Sequence, residues 1–362
     1  MHPVTKDAPS DPRDWTEEEV RARILGLKSR LGRDLLVLAH HYQRDAVVAV
    51  ADAVGDSLRL AQQAALATAR HIVFCGVHFM AETADILTGP GQSVILPELR
   101  AGCSMADMAT PDALEWAWQR LTAVETGRVV PVTYINSAAT LKAFVARHGG
   151  TVCTSSNARK ILEWAFTQGE KVFFFPDEHL GRVTAYELGV PLEDMLVWDR
   201  DRDLGGHDPE AVRRARVYLW DGFCVVHQMF DVEDIAFWRQ KEPGIRVIVH
   251  PECPFDLIRA ADAHGSTEYL ARAVGQAPPG SKWAVGTEVN LVSRLAARNP
   301  DKLVVSLSPH QAICANMYRT RPLSVLRVLE GLAAGRVENR IRVPEAVAGE
   351  ARQALSRMLS LS

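Results

Sequence analysis

DLLVLAHHYQ, residues 34 to 43, is an apolar run of strand length that ends abruptly in two histidines, a tyrosine and a glutamine. An uninterrupted Val/Leu run of this kind predicts a strand buried on both faces, as in a parallel sheet covered by helices. The pattern recurs in VVPVTYINS (129 to 137) and RVIVHPEC (246 to 253), each again apolar and each again closing on polar side chains. In open α/β sheets, ligands bind beyond the carboxyl ends of the strands, so these three closures are candidate site elements. Between the runs lie amphipathic stretches, and the alternation predicts an α/β protein.

Two further sets of runs follow in register with the first. HIVFCGVHF (71 to 79), GTVCTSSN (150 to 157) and KWAVGTEVN (282 to 290) form the second. The third set closes on cysteines: SVILPELRAGC at Cys103, the segment through WDGFC at Cys224, and LVVSLSPHQAIC at Cys314. His40 to Cys103 is 63 positions (103 minus 40) and His250 to Cys314 is 64 (314 minus 250). Tyr134 to Cys224 is 90, and the excess falls in the charged stretch LVWDRDRDLGGHDPEAVRRARVYLW (196 to 220), which reads as a surface excursion. Three similar βαβαβ units are therefore expected: residues 1–107, with C-terminal helices in 321–362 packing back on them; 108–226, carrying the insertion; and 227–320.

The bulk properties narrow the function classes. A chain of 362 residues, 47% hydrophobic and 23% charged, buries a sizeable core and has the length of two or three domains. Its net charge of -3 gives no global attraction for nucleic acid or an anionic membrane, so neither is an expected partner. The opening MHPVTKDAPSDPRDWTEEEV is polar and no later segment has 18 uninterrupted apolar residues, which leads to the expectation of a cytoplasmic protein. No G-x-G-x-x-G follows a strand and no P-loop signature is present, so a Rossmann dehydrogenase is disfavoured.

Six scattered cysteines without a C-x-x-C pair do not form a secreted disulfide framework. Isolated cysteines are most often small buried apolar residues, and Cys75 and Cys153, inside apolar runs, fit that role. Cys103, Cys224 and Cys314 close equivalent rounds and sit among small residues, as in AGCSMAD and DGFCVVH, where backbone could approach a metal centre. Spacing alone leaves core packing, zinc and an iron-sulfur cluster all open for these three. The polar strand ends add His40, Tyr42, Tyr134, Asn136, His250 and Glu252, with His41 beside them, as groups suited to carboxylate binding and proton transfer. Alternate positions on a strand share a face, which places the two members of each pair together. Ser57, Ser155 and Ser156, and Ser266 with Thr267, stand at helix openings, where hydroxyls and free N–H groups cap the helix or hold an anion.

The motifs together resemble the quinolinate synthase family from about residue 34 to 320. The resemblance is carried by LAHHYQ with GDSLRLA, VFCGVHFMAETADIL, LPELRAGCSMADM, PVTYINS, VCTSSNA, FFPDEHLG, GFCVVH, HPEC, ADAHGST, VGTEVNL and SPHQAICANMYRT. It implies three α/β/α sandwich units in a pseudo-threefold arrangement around one active site, and a 4Fe-4S cluster held by Cys103, Cys224 and Cys314 with one iron open to act as a Lewis acid. It also implies that iminoaspartate and dihydroxyacetone phosphate are condensed to quinolinate for NAD biosynthesis. His40, Tyr42, Ser57, Tyr134, Asn136, Ser155, His250, Glu252, Ser266 and Thr267 would line the site, with Glu252, His250, Tyr42 and Tyr134 as the catalytic groups. His41 falls where the family varies. Only Cys314 stands where some members carry a C-x-x-C, so a disulfide switch there is not expected. Coupling to an iminoaspartate-producing L-aspartate oxidase or aspartate dehydrogenase would follow. The rival readings are a zinc-dependent lyase or aldolase and an iron-sulfur redox sensor.

Overall fold

The computed structural model describes residues 15–362 and contains three sheets, each covered by helices. The strands in chain order are β1 (Leu35–His40), β2 (Ala53–Gly55), β3 (His71–Cys75), β4 (Ser93–Ile95), β5 (Val129–Tyr134), β6 (Thr151–Cys153), β7 (Lys171–Phe175), β8 (Met195–Trp198), β9 (Val217–Trp220), β10 (Arg246–Val249), β11 (Ala263–His264), β12 (Lys282–Gly286), β13 (Leu303–Ser306) and β14 (Arg340–Ile341). The first sheet runs β14-β4-β3-β1-β2, the second β6-β5-β7-β9-β8 and the third β11-β10-β12-β13. All pairs are parallel except β14 with β4. With β14 and β8 set aside, each sheet has the same internal order, its second strand outside its first, then its third and its last. The expected α/β class in three similar units is what the chain adopts.

Burial explains the composition of the strands. Every residue of β5, β7 and β9 is buried, as a parallel strand with helices on both faces requires. The first strand of each sheet ends in a tight turn, so its polar closure is delivered to the carboxyl end of the sheet.

The 196 to 220 stretch corrects the expectation of a surface excursion. It opens in β8, which pairs with β9 as the edge strand of the second sheet, and it ends in β9 itself. Trp198, Tyr218 and Trp220 are wholly buried. The charged residues between them misled the reading: their apolar flanks MLVW and VYLW are strands, and only the connection, with a short helix Pro209–Arg214, lies outside. Gly205 turns there at φ +67° beneath the Trp198 ring, where an added Cβ would stand 2.7 Å from the indole.

The C-terminal segment serves two units. Helix Pro322–Ala333 packs with helix Glu17–Leu31 beside the first sheet, and β14 extends that sheet. The last helix, Glu345–Ser360, crosses to lie on helix Ala139–Arg147 of the second unit, with its Ala354 carbonyl accepting from Thr151 Oγ1 at 2.9 Å. Lys142, on that contacted helix, is fully buried and donates to the Ser137 carbonyl in the bend that follows β5. Among the described residues, no helix is long and apolar enough to cross a membrane.

Candidate active site

The carboxyl ends of the three sheets converge on one cavity. Its lining includes His40, Tyr42 and Ser57 from the first unit, Tyr134, Asn136 and Ser155 from the second, His250, Glu252 and Thr267 from the third, and Cys103, Cys224 and Cys314, one cysteine from the end of each round. Of the residues expected at the site, Ser266 alone is absent from this wall. Its hydroxyl accepts the Tyr269 N–H at 3.3 Å and caps helix Thr267–Gln276, while Thr267 beside it presents a buried Oγ1 without a hydrogen-bond partner. At the first unit the cap is Asp56, whose carboxylate accepts the Arg59 N–H at 2.8 Å, so Ser57 is the first helical residue and not the cap. Ser156 donates to Asp56, and Ser155 stands on the wall beside it.

The pairs at the strand ends meet for a different reason than the strand pleat. β1 and β10 end at His40 and Val249, so Tyr42 and Glu252 lie beyond them in turns. In both turns the histidine Nδ1 accepts a backbone N–H two residues on, Tyr42 N–H to His40 at 3.1 Å and Glu252 N–H to His250 at 3.3 Å. This local bond folds each side chain back over its partner, in the manner of an Asx turn built on imidazole. His41 points outward to Glu268 at 3.0 Å, which also holds Arg59.

Glu252 is the hub. Tyr134 donates to its Oε1 at 2.6 Å, and the Asn136 amide is 3.5 Å from the same oxygen. Its Oε2 lies 2.9 Å from Nδ1 of His227 in a charge contact that falls outside the geometry of a straight N–H bond. Burial alone would raise its pKa, but the imidazoles of His250 and His227 close beside it and the bond from Tyr134 outweigh it, and the carboxyl is held below its usual range. Burial pushes His250 down to about 3, ahead of the opposing pull of Glu252, so its imidazole is neutral near pH 7 and Glu252 owes its ionisation chiefly to the donors around it. Tyr42 and Tyr134 are both raised, first by burial and then by the Glu252 charge, and remain protonated donors.

His227 was not singled out in the sequence. It is wholly buried, stacks on His250 at 4.7 Å between ring centroids, and reaches the Thr287 hydroxyl at 3.2 Å and the Tyr42 hydroxyl at 3.4 Å. Thr287 in turn lies 2.7 Å from Tyr42 Oη. The available signal was the C-x-x-H spacing of GFCVVH, which is too common to stand out. Arg294 was likewise missed. From helix Val289–Arg298 of the third unit its buried guanidinium binds the carbonyls of His41 (2.8 Å) and Gln43 (2.7 Å) and Asp45 (2.8 Å), fixing the turn that carries Tyr42.

Each cysteine of the cavity opens a turn, its carbonyl accepting the N–H of Asp107, His227 or Tyr318 for Cys103, Cys224 and Cys314 in that order. The 224 loop is seated by the Glu178 N–H donating to the Gly222 carbonyl at 2.8 Å. Gln43 ties the first unit to the 314 loop through the Met317 carbonyl at 3.1 Å. The thiols are all free, and they do not all lie within 4.8 Å of one another. Burial raises all three, Cys103 to about 12, with added charge from Cys314 on Cys103, from Glu252 on Cys224 and from Glu288 on Cys314. Such thiols ionise only against a cationic centre, and that is the donor chemistry of an iron-sulfur site. Cys75, Cys153 and Cys253 are buried within the hydrophobic cores, away from this wall.

Three parallel-sheet units that pool a carboxylate, histidines, tyrosines and three thiols in one buried cavity define a three-unit α/β enzyme with a thiol-lined centre. The family model of the quinolinate synthetase A protein matches residues 22–360. Quinolinate synthase of Geobacillus sp. (strain WCH70) is 50% identical over 357 residues, covering 98% of this chain and 97% of that protein. The quinolinate synthase of Herpetosiphon aurantiacus is 52% identical over 349 residues (95% and 93%), and that of Corynebacterium glutamicum 50% over 355 (98% and 90%). The chain belongs to the quinolinate synthase A family, and so to the enzymes of NAD synthesis.

Proposed function

We propose that this chain condenses iminoaspartate with dihydroxyacetone phosphate to give quinolinate, phosphate and two waters, a transferase-type condensation, with a 4Fe-4S cluster on Cys103, Cys224 and Cys314. The observation that carries the reading is an ionised Glu252, held by Tyr134, in the same cavity as three unpaired thiols contributed by three units. When bound, a cluster with three thiolate ligands supplies a Lewis-acidic iron to a substrate oxygen.

The protein's own groups divide the remaining work. Ser57, Ser155 and Thr267, at or beside helix N-termini, hold the carboxylates and the phosphate; the unpartnered Thr267 hydroxyl is free to donate to them. His40 and Asn136 orient the substrate, and Asn136 Oδ1, buried without a partner, accepts from a triose hydroxyl. Glu252 takes a proton from substrate carbon, the neutral His250 accepts and returns protons beside it, and the protonated Tyr42 and Tyr134 donate to developing oxyanions. The reading places the chain in the cytoplasm, downstream of an L-aspartate oxidase or aspartate dehydrogenase that supplies the unstable imine.

The test is an anaerobic assay for quinolinate from the two substrates, with iron and sulfide determined on the same sample. Quinolinate formed in proportion to cluster content supports the reading. Zinc in place of iron and sulfide, or a fully loaded protein that forms no quinolinate, defeats it.

A further inference from the structure

One group of donors at the cavity wall, reaching one residue behind it, is tighter than the set of three thiols. Cys224 Sγ, a ring nitrogen of His227 and a carboxylate oxygen of Glu252 all lie within 4.8 Å of one another. His227 is 0% and Glu252 4% exposed. The far side of the imidazole is already committed: Nε2 meets the Thr287 hydroxyl at 3.2 Å and the Tyr42 hydroxyl at 3.4 Å. In the tautomer that donates Nε2–H to those oxygens, Nδ1 presents its lone pair 2.9 Å from Glu252 Oε2, in a contact too bent for a straight N–H bond. In that tautomer a cation beside the two atoms satisfies both the nitrogen lone pair and the carboxylate. An imidazole oriented by a hydroxyl on its other nitrogen, next to a carboxylate and a thiol, is the arrangement of a mononuclear metal ligand set with its outer support in place.

We propose that in the cluster-free chain Cys224, His227 and Glu252 bind a single thiophilic divalent cation of the zinc type, and that this ion and a cluster held by Cys224 exclude one another. Binding converts the Cys224 thiol to a thiolate and releases its proton to solvent, while His227 ligates neutral and Glu252 as the carboxylate, leaving a fourth position toward the cavity. The ion withdraws Glu252 and Cys224 together, so a chain loaded in this way is closed to cluster assembly. The inference rests on the donor atoms and not on the condensation chemistry, and a chain that makes no quinolinate would leave it untouched.

The experiment uses full-length cluster-free protein, kept reduced and anaerobic. It is titrated with Co²⁺ as a spectroscopic probe and with Zn²⁺ in competition with a chromophoric chelator. One ion per chain is expected, with sulfur-to-cobalt charge-transfer absorption and one proton released. Cys224→Ser and His227→Gln should each weaken binding at least ~10-fold, and Thr287→Val about 10-fold through loss of the orienting bond. Cys103→Ser and Cys314→Ser should bind as the unaltered chain does, and circular dichroism establishes that each variant is folded. Equal loss in all three cysteine variants would place the ion among the three thiols and overturn the site. Absence of a sulfur-to-cobalt band would do the same, because Cys224 is then not a ligand. Finally, Zn²⁺-loaded protein given iron and sulfide should fail to build a cluster until a chelator removes the zinc; a full cluster formed with zinc retained refutes the exclusion.

Discussion

The Tyr134 hydroxyl donates to Glu252 Oε1 at 2.6 Å across the boundary between the second and third units, so the two carboxylate oxygens are differentiated before any substrate arrives. One oxygen is held by a phenol, and the other faces His227. For Glu252→Gln, turnover is expected to fall at least ~100-fold, the usual scale of a lost acid–base group, with the iron and sulfide content unchanged. For Tyr134→Phe the loss is that of one bond to a charged group, on the order of 10-fold to 100-fold in rate. Steady-state quinolinate assays on cluster-normalised samples check both, and near-normal turnover for Glu252→Gln would remove it from the mechanism.

Each of Cys103→Ala, Cys224→Ala and Cys314→Ala should abolish both the visible absorbance of the reconstituted cluster and quinolinate formation. Burial raises the cavity thiols, so under the proposed ligation each thiolate would form only on the cluster and no neighbouring thiol would stand in for a lost one. Wild-type levels of both signals in any one variant would sink the ligand assignment.

Gly222→Ala probes the seat of the Cys224 loop. A Cβ at this position would run into the Pro176 carbonyl, which is backbone and cannot swing aside. The loop must then lift, weakening the bond between the Glu178 N–H and the Gly222 carbonyl. Iron content per chain after anaerobic reconstitution should drop while the secondary structure seen by circular dichroism is retained; unchanged iron content would show that the loop position is not critical.

Lys142 gives a pH signature away from the cavity. Burial lowers its pKa from 10.5 to about 8, against the opposing pull of Glu82. Between those values the unfolded chain binds the extra proton, so this group's contribution to stability rises with pH across that window, and its cost is complete below about 8. Comparison with Lys142→Met isolates the effect. The difference in urea midpoint between the two proteins should shift in favour of the unaltered chain as pH rises through the window, and a pH-independent difference would show that Lys142 is uncharged or hydrated when folded.

Much of the fold was legible because buried parallel strands are written as short apolar runs, and because the first and last rounds repeat at nearly equal length. The polar strand ends, the helix openings at Ser57, Ser155 and Thr267, and the three cysteines at the ends of the rounds all reach one cavity. What failed were inferences from charge and from local pattern. The charged connection between β8 and β9 concealed two strands whose aromatic residues are core, and the Ser266 hydroxyl is spent on its own helix. His227, Thr287 and Arg294 were invisible because their roles come from contacts across unit boundaries. His227 meets Tyr42 185 positions away, and no periodicity within one element records such a meeting.

The Arg294 fork joins the turn after β1 to a helix of the third unit. The turn therefore does not breathe with the sheet from which it grows. Amide exchange at residues 41–45 should follow the opening of helix Val289–Arg298, so protection measured there gauges how firmly one unit grips another.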